Sequence, residues 1–402
     1  MVLVRVAFAK HFDVTVAVAR CIELLGAVSP VMLLVFCGGK HDPGSVLAAL
    51  RDAFGPVCVV GGSAVGAITF DGSGYSGLEI GVMAFLDPAT APSVHVTLDL
   101  LHNERAAGRE LGRQVAVAAA ADAPVFLLFD SVESGSPPKL HFASSIVEGF
   151  HDGLGERRVR LTGGGLLTDF NLSDGWVFVG DSVRRHAALA LVFPPTLAVE
   201  TVILHGCRPV SAFMEITRIE GAVVYELDHE PALSVIERML GLKIGPSTNH
   251  NISLIATLGE KHGDPFGPYD ENDYVNRLIL TSHQQNGSVT LFEPDFERGA
   301  KVQIMSRDNA LMLQSVRDGV QVANRMMAAG DTLFSLYVDC AGRASAMSGA
   351  MIEEAEIVAQ TLDRSAPLLG FYSGVEIAPF GGYSRPLDWT GLLLSIRRRH
   401  AG

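Results

Sequence analysis

Short apolar runs alternate with amphipathic helical segments, and the same order of segments occurs three times along the chain. Each copy contains an apolar run of strand length, a helical segment and a second apolar run, followed by a glycine-rich stretch and one or two further strands. The copies begin at residues 31–37, 125–129 and 333–338. Two apolar strands joined through a helix are typical of a βαβ crossover. The pattern therefore predicts an α/β protein of repeated strand-helix-strand units, with mixed sheets flanked by helices.

The glycine-rich stretches are predicted to be turns at the carboxyl ends of strands. They include Gly61-Gly62-Ser63 with Gly66, then Gly163-Gly164-Gly165, and finally Ser373-Gly374. In parallel sheets, ligands bind at those strand ends, and glycine lets a ligand approach the backbone. Tight turning alone would also explain each stretch. Their recurrence favours a shared pocket.

The segments between the copies predict further elements and a domain boundary. Asp13 is expected to cap a helix that ends before Gly26, and residues 214–219 and 223–227 form a predicted hairpin. Asp228 and Ser306 are predicted to cap two later helices. The segment 243–274 has the composition of a linker. We therefore divide the chain into domains 1–240 and 241–402.

Composition narrows the function classes. The 402 residues are 48% hydrophobic and 19% charged, with a net charge of −13, which disfavours nucleic-acid binding. No apolar run reaches about 18 residues, so no membrane insertion is expected. The five cysteines contain no C-x-x-C, which favours a reducing, cytoplasmic location. Arg397-Arg398-Arg399 is expected to be a solvated tail.

Several side chains are candidates for ligand contact. Glu376, beside Phe371 and Tyr372, could pair with an ammonium group, although an exposed turn carboxylate is an open alternative. Arg343 follows a predicted strand, where its guanidinium could bind a carboxylate bidentately. The complete set of predicted ligand contacts is Gly62, Ser63, Gly66, Gly164, Arg343, Tyr372, Ser373, Gly374 and Glu376.

Motifs of known chemistry are mostly absent from the sequence. Residues 72–77 match G-x-G-x-x-G but lead into a predicted strand, so a dinucleotide site lacks its context. G-x-S-x-G fails around Ser63, and H-E-x-x-H is absent, so no catalytic or metal residues are predicted. The acidic residues Asp270, Glu271 and Asp273 are expected to form a solvated loop. A lone histidine (His95, His186 or His205) remains a candidate axial haem ligand.

Several stretches together resemble the FIST family. They are residues 206–209 with 224–227, Asn276-Arg277, residues 299–303, Arg307-Asp308, residues 370–377, and the turn 62–66, which is similar to the family's Gly-Cys-Ser-x-x-Gly-Glu. Two positions depart from the family pattern. Ala67 replaces the final glutamate of that turn, and residues 385–390 replace the usual His-Asn-Gln-Thr.

The resemblance implies a cytoplasmic, prokaryotic-type sensory protein with a FIST N-like and a FIST C-like domain. It implies a small ligand, with amino acids proposed for the family, and a signalling partner. One branch of the family binds haem for nitric-oxide sensing and regulates a histidine kinase or a cyclic-di-GMP enzyme. We therefore expect a non-enzymatic sensor that acts through a separate protein. A haem-based nitric-oxide sensor and a hydrolase using Ser63 or Cys340 remain alternatives.

Overall fold

Three six-stranded sheets with the same internal order form most of the structure, a computed structural model that describes residues 2–136, 138–245 and 256–399. The first sheet contains, in spatial order, β1 (Val4–Lys10), β6 (Glu79–Phe85), β2 (Met32–Gly38), β3 (Cys58–Ala64), β12 (Val177–Gly180) and β13 (Ser182–Arg184). The second contains β7 (Ser93–Thr97), β14 (Ala188–Val192), β8 (Ala123–Asp130), β11 (Val159–Leu166), β26 (Glu376–Phe380) and β27 (Tyr383–Leu387). The third contains β15 (Leu197–Leu204), β28 (Gly391–Arg398), β24 (Thr332–Cys340), β25 (Leu368–Ser373), β4 (Ala67–Thr69) and β5 (Ser73–Gly74).

The helices lie between these strands in the order that the sequence pattern predicts. They are α1 (Val14–Leu25), α2 (Pro43–Phe54), α3 (Glu104–Ala118), α4 (Ala143–Leu154), α5 (Ala232–Leu240), α6 (Asn309–Ala328), the single-turn α7 (Ser345–Ser348) and α8 (Glu354–Thr361). The central pairs β2–β3, β8–β11 and β24–β25 are parallel, and each pair is joined through α2, α4 or α8. The three predicted βαβ units and the α/β class are therefore confirmed.

The three sheets are linked in a cycle by strands that leave the unit in which they begin. After β3 the chain forms the hairpin β4–β5, which extends the third sheet by pairing with β25. After β11 it forms β12–β13, which pairs with β3 of the first sheet. After β25 it forms β26–β27, which pairs with β11 of the second sheet. Each unit therefore completes another unit's sheet.

An antiparallel strand ring is inserted into the third unit, between β15 and α6. Its strands are β16 (Cys207–Pro209), β17 (Met214–Glu220), β18 (Val223–Leu227), β19 (Glu230–Pro231), β20 (Ala256–Lys261), β21 (Tyr274–His283), β22 (Ser288–Leu291) and β23 (Lys301–Arg307). The pairings run β23–β17–β18–β22–β21–β20 and return to β23, which closes the ring. The predicted boundary near residue 240 lies inside this insertion. Strand pairing crosses it, because β15 pairs with β28.

Two predicted helix starts are corrected by the structure. Asp308, not Ser306, caps α6, because its carboxylate accepts hydrogen bonds from the N–H groups of Ala310 and Leu311. Ser306 instead belongs to β23. Asp228 has a left-handed φ of 49° and lies before α5, whose N-cap is Pro231. In contrast, Asp13 caps α1 as predicted.

Most of the predicted glycine turns of the first two copies are strand interiors. β3 continues to Ala64 and β11 to Leu166, so Gly62 and Gly164 are strand residues. Glycine is needed there because neighbouring chain leaves no room for a side chain. A Cβ on Gly61, at φ 111°, would lie 2.1 Å from the carbonyl oxygen of Val35. The prediction of turns is correct for Gly66 of the first copy, which lies between β3 and β4, and for the third copy, where Gly374 joins β25 to β26.

The C-terminal arginines are also not a free tail. Arg397 and Arg398 belong to β28. Arg397 forms an ion pair with Glu200 at 2.6 Å, and Arg398 pairs with Asp331 at 3.3 Å. These ion pairs therefore hold the end of β28, a strand whose apolar residues are buried.

Candidate functional site

A small cavity lies beyond the carboxyl ends of β8, β11 and β25. Its volume is about 20 Å³, enough for one water molecule. Its lining residues are Ser131, Leu140, His141, Leu167, Leu172, Phe292, Glu293, Gly374, Val375 and Asp388. They come from the second unit, the third unit and the inserted strand ring. The position fits the rule that ligands of α/β sheets bind beyond the carboxyl strand ends.

Glu293 closes one side of this cavity from the strand ring. Its carboxyl group accepts hydrogen bonds from the N–H groups of Ala143 and Ser144 and from the Ser144 hydroxyl, at 2.7–3.0 Å. Ala143 begins α4, and no side chain of its own N-cap residue caps this helix. Burial, followed by the charge of Asp388, raises the pKa of Glu293 to about 8. A carboxyl group of the insertion thus caps a helix of the second unit.

Asp388 lies on the same cavity wall and accepts a hydrogen bond from the N–H of Leu278 at 2.8 Å. Burial raises its pKa to about 6, against the opposing effect of the nearby Arg277 charge. Arg277 is itself fully buried and forms a bidentate pair with Asp295. This wall of the cavity therefore has more buried carboxyl groups than buried basic groups.

Glu376 forms a buried network behind Gly374. It bonds to the hydroxyl of Ser373 at 2.6 Å and accepts hydrogen bonds from the N–H and hydroxyl of Thr390. The side chain is fully buried, so the interpretation as an exposed turn carboxylate is wrong. Burial raises the pKa of Glu376 to about 8, although both hydroxyl partners oppose the shift.

Arg343 and Tyr372 lie together in a second buried cluster. The Arg343 guanidinium lies 2.9 Å from Glu354 and 3.7 Å from Asp339, and it donates to the carbonyl oxygens of His205 and Trp389. The Tyr372 hydroxyl donates to Glu353 at 3.1 Å. Burial and the Glu354 charge raise the pKa of Asp339 well above its ordinary value.

The remaining predicted contacts pack against protein. Ser63 is fully buried; its hydroxyl donates to the carbonyl of Trp176 and accepts from the N–H of the same residue. A Cβ on Gly62 would lie 2.5 Å from the Trp176 carbonyl oxygen, and one on Gly66 would lie 1.7 Å from that of Gly74. At Gly164 it would meet the side chain of Val338 at 2.8 Å. Of the nine predicted contacts, Gly374 borders the cavity, with Ser373 and Glu376 directly behind it.

The three candidate haem ligands and the candidate nucleophile Cys340 lie in four different settings. His95 is partly exposed on the edge strand β7, and His205 is buried with its Nε2 3.2 Å from the Asn272 side chain. His186 has a left-handed φ of 50°, and its Nδ1 lies 3.1 Å from Nε2 of His141. Cys340 is buried, which raises the pKa of its thiol well above the ordinary value.

The acidic group at Asp270–Asp273 is not simply a solvated loop. Glu271 accepts hydrogen bonds from the N–H groups of Gly206 and Cys207 at 2.7 and 2.5 Å. Burial raises its pKa to about 7. It therefore holds the start of the inserted ring.

Sequence reasoning missed the cavity's own polar residues, Ser131, Glu293 and Asp388. Asp388 lies in the segment that replaces the family's His-Asn-Gln-Thr, so that departure was an available signal. Glu293 had none, because it is more than 140 residues from the helix that it caps. Ser131 is 5% exposed, and its hydroxyl has no hydrogen-bond partner among the described residues.

The fold and the cavity define a class of protein: an α/β protein of three linked units, in which the second unit, the third unit and an inserted strand ring line a small cavity with two buried carboxyl groups. The chain belongs to the FIST family. It matches the FIST N domain over residues 31–230 and the FIST C domain over residues 232–379. These are sensory and signal-transduction domains. None of the helices within the described ranges has the length and hydropathy that a membrane crossing requires.

Two uncharacterized mycobacterial proteins are similar to part of this chain. An uncharacterized protein of Mycobacterium tuberculosis (strain ATCC 25618 / H37Rv) is 27% identical over 184 residues, which cover 46% of this chain and 47% of that protein. An uncharacterized protein of Mycobacterium bovis (strain ATCC BAA-935 / AF2122/97) is 27% identical over 184 residues, covering 45% and 46%. The match thus spans about half the length of these relatives.

Two solved structures align over almost the whole chain at low similarity. A cyanuric acid hydrolase from A. caulinodans aligns with a TM-score of 0.34 and 12% identity, covering 99% of each chain. A chorismatase aligns with a TM-score of 0.36 and 10% identity, covering 98% of each chain. At these TM-scores the likeness carries no argument about activity.

Proposed function

We propose that this protein is a non-enzymatic sensor module whose cavity binds a small ligand with an ammonium group, such as an amino acid. It would pass the signal to a separate cytoplasmic protein, for which a histidine kinase or a cyclic-di-GMP enzyme is the family's precedent. The observation that carries the proposal is the pair of buried carboxyl groups, Glu293 and Asp388, on the wall of one cavity. Neither carboxyl group has an ion-pair partner among the described residues, since the nearby Arg277 pairs with Asp295. When they ionise, an ammonium group would supply the missing positive charge.

The same cavity offers a means of passing on the signal. In this structure the cavity has room for about one water molecule. An amino acid would therefore enter only if the segment after β22, which carries Phe292 and Glu293, moves outward. Glu293 is also bonded to the start of α4. Ligand binding would therefore change the contact between the inserted ring and the second unit, a change that a partner protein can recognise.

The settings of Ser63 and Cys340 favour sensing over hydrolysis. The Ser63 hydroxyl is held by both backbone groups of Trp176, and burial disfavours the Cys340 thiolate. A nucleophile needs access and a neighbouring base. Neither residue borders the cavity.

The test is a thermal-shift and calorimetric screen of the twenty amino acids and simple amines with the full chain. We expect at least one ligand to raise the melting temperature, and Glu293→Gln to abolish that shift while its ligand-free melting temperature stays within a few degrees. Glu297→Gln, an exposed glutamate of the same segment, is the matched control and should respond as the wild type does. If no ammonium compound shifts the wild type, or if Glu293→Gln responds fully, the proposal is wrong.

A further inference from the structure

Three metal-ligating side chains converge at the edge of the proposed ligand cavity, which one of them, His141, also lines. Glu104 is the first residue of α3, Glu133 lies on β9 (Val132–Gly135), and His141 follows β10 (Pro138–Leu140), which pairs with β9. One donor atom from each side chain lies within 4.8 Å of the others. His141 is buried, whereas both carboxylates remain partly accessible to solvent. The group therefore has a rigid inner ligand and an open outer side.

Both ring nitrogens of His141 lie within hydrogen-bonding distance of a partner, and the tautomer decides which of them can bind a cation. Its Nε2 lies 3.1 Å from Nδ1 of His186, and the backbone N–H of His186 is held by Asp130 at 2.9 Å. If Nε2 donates its proton to His186, the Nδ1 lone pair faces Glu104 at 3.2 Å. A lone pair and a carboxylate repel each other unless a cation lies between them. Histidines that bind metals commonly donate their other ring N–H in this way.

The two carboxylates also favour a cation. Glu104 and Glu133 are like charges brought together. Glu133 pairs with Lys139 at 2.6 Å, and Glu104 lies 3.2 Å from His141. The Lys139 side chain is 65% exposed, so it can turn into solvent when a metal binds. On the inner side, His141 and the unpartnered Ser131 hydroxyl line the same cavity. A water or ligand entering beside His141 therefore finds a polar partner there.

We propose that Glu104, Glu133 and His141 form a binding site for a divalent transition metal, with Zn²⁺ as the best match to one imidazole and two carboxylates. A set of one nitrogen and two oxygen donors suits Zn²⁺ better than Mg²⁺, which prefers oxygen ligands alone. Three protein ligands on a partly open face leave a coordination position for water. The site is distinct from the proposed ammonium site on the Glu293 side of the cavity, and either can exist without the other.

The test uses the full chain after removal of metals with a chelator. Zn²⁺ is titrated by calorimetry, and Co²⁺ serves as a visible-absorbance probe of ligand geometry. We expect one saturable site, with affinity lowered at least about tenfold in Glu104→Gln and in Glu133→Gln, since even outer-shell partners act on that scale. Mg²⁺ should not compete at equal concentration.

Glu110→Gln is the matched control, because Glu110 lies on the same helix α3 and outside the group. It should bind Zn²⁺ as tightly as the wild type. Both test carboxylates are partly exposed, so their amides should fold; metal-free melting temperatures verify this. Absence of a saturable Zn²⁺ site, or unchanged affinity in both Glu104→Gln and Glu133→Gln, would overturn the proposal. The amino-acid screen with Glu293→Gln is read separately, so failure of one proposal does not imply failure of the other.

Discussion

At the scale of single residues, the most informative feature is the set of buried acids at the carboxyl ends of the strands. Glu293, Glu376 and Asp388 are buried with raised pKa values of about 8, 8 and 6. At neutral pH the folded protein holds protons on Glu293 and Glu376 that the unfolded chain releases. Part of its stability is therefore tied to pH, and so is its proposed affinity for cations.

The pH dependence of stability follows from the sign of these shifts. The pKa of Glu376 rises from about 4.5 to about 8 on folding. Its contribution to the free energy of unfolding is therefore complete below about pH 4.5 and is lost as the pH rises through about 8. Urea unfolding between about pH 5 and 8 should show stability falling with pH. In Glu376→Gln the slope should decrease by up to about 1.4 kcal/mol per pH unit. An unchanged slope would contradict the burial argument; exposed Glu220→Gln is the control.

Ligand affinity should have the opposite pH dependence. A cation binds the ionised forms of Glu293 and Asp388. To ionise, Glu293 must release the proton that it holds below about pH 8, and Asp388 the proton that it holds below about pH 6. Binding of an ammonium ligand should therefore tighten between about pH 6 and 8. Calorimetry in two buffers of different ionisation enthalpy measures the released protons. Binding without proton release would place the ligand away from these carboxyl groups.

Arg343 supplies a stability prediction at the same scale. It is buried against Glu354 and Asp339, so Arg343→Met leaves buried carboxyl groups without their cation. We expect a loss of about 3–5 kcal/mol in the free energy of unfolding. Chemical denaturation measures it, and exposed Arg113→Met should change stability by less than about 0.5 kcal/mol. Equal effects of the two substitutions would show that the buried ion pair contributes little.

At the scale of elements, α3 and α4 pack with their backbones in direct contact. A Cβ on Gly108 or Gly112 would lie 2.1 Å from a carbonyl oxygen of α4, and one on Gly149 or Gly153 would lie 2.0–2.1 Å from a carbonyl oxygen of α3. Each helix carries the two glycines four residues apart, on one face. These four glycines let the two helix backbones approach each other.

Gly112→Val tests this helix pair. The added side chain would have to displace the carbonyl of Phe150, so the helices must separate. We expect a loss of about 1–3 kcal/mol, the usual cost of overpacking, and a lower melting temperature. Val117→Ala, on the exposed side of α3, serves as the control. A wild-type melting temperature for Gly112→Val would contradict the packing described here.

At the scale of the whole molecule, the exchange of hairpins makes the three units depend on one another. β4–β5 needs β25, β12–β13 needs β3, and β26–β27 needs β11. The inserted ring adds a further link through Glu293, which caps α4. Because the units depend on one another, we expect the part of the chain that the structure describes to unfold in one cooperative transition.

The fragment 1–240 tests that dependence. It contains β15 without its partner β28, and β4 without β25. We expect this fragment to lack a cooperative thermal transition and to be cleaved rapidly by protease, because long apolar strand edges remain unpaired. The full chain under the same conditions is the control. A cooperative transition in the fragment would support residues 1–240 as an independent domain.

Sequence reasoning predicted the units better than their assembly. Periodicity located the strands and helices of all three βαβ units. Gly61-Gly62 and Gly163-Gly164-Gly165 were mistaken for turns, because glycine marks close backbone approach as well as chain reversal. Only the neighbouring strand and the exchanged hairpin distinguish these two uses.

The sequence alone determined which segments form strands and helices, that βαβ crossovers repeat three times, and to which family the chain belongs. These properties depend on local periodicity and short motifs. The tertiary structure decided which sheet each hairpin joins, and that Arg343 and Glu376 lie in separate buried networks. It also placed Glu293 at the start of α4, beside Asp388. The hairpin pairings and the Glu293 cap join residues more than a hundred positions apart. The energies of the buried networks depend on burial, which no local pattern of residues encodes.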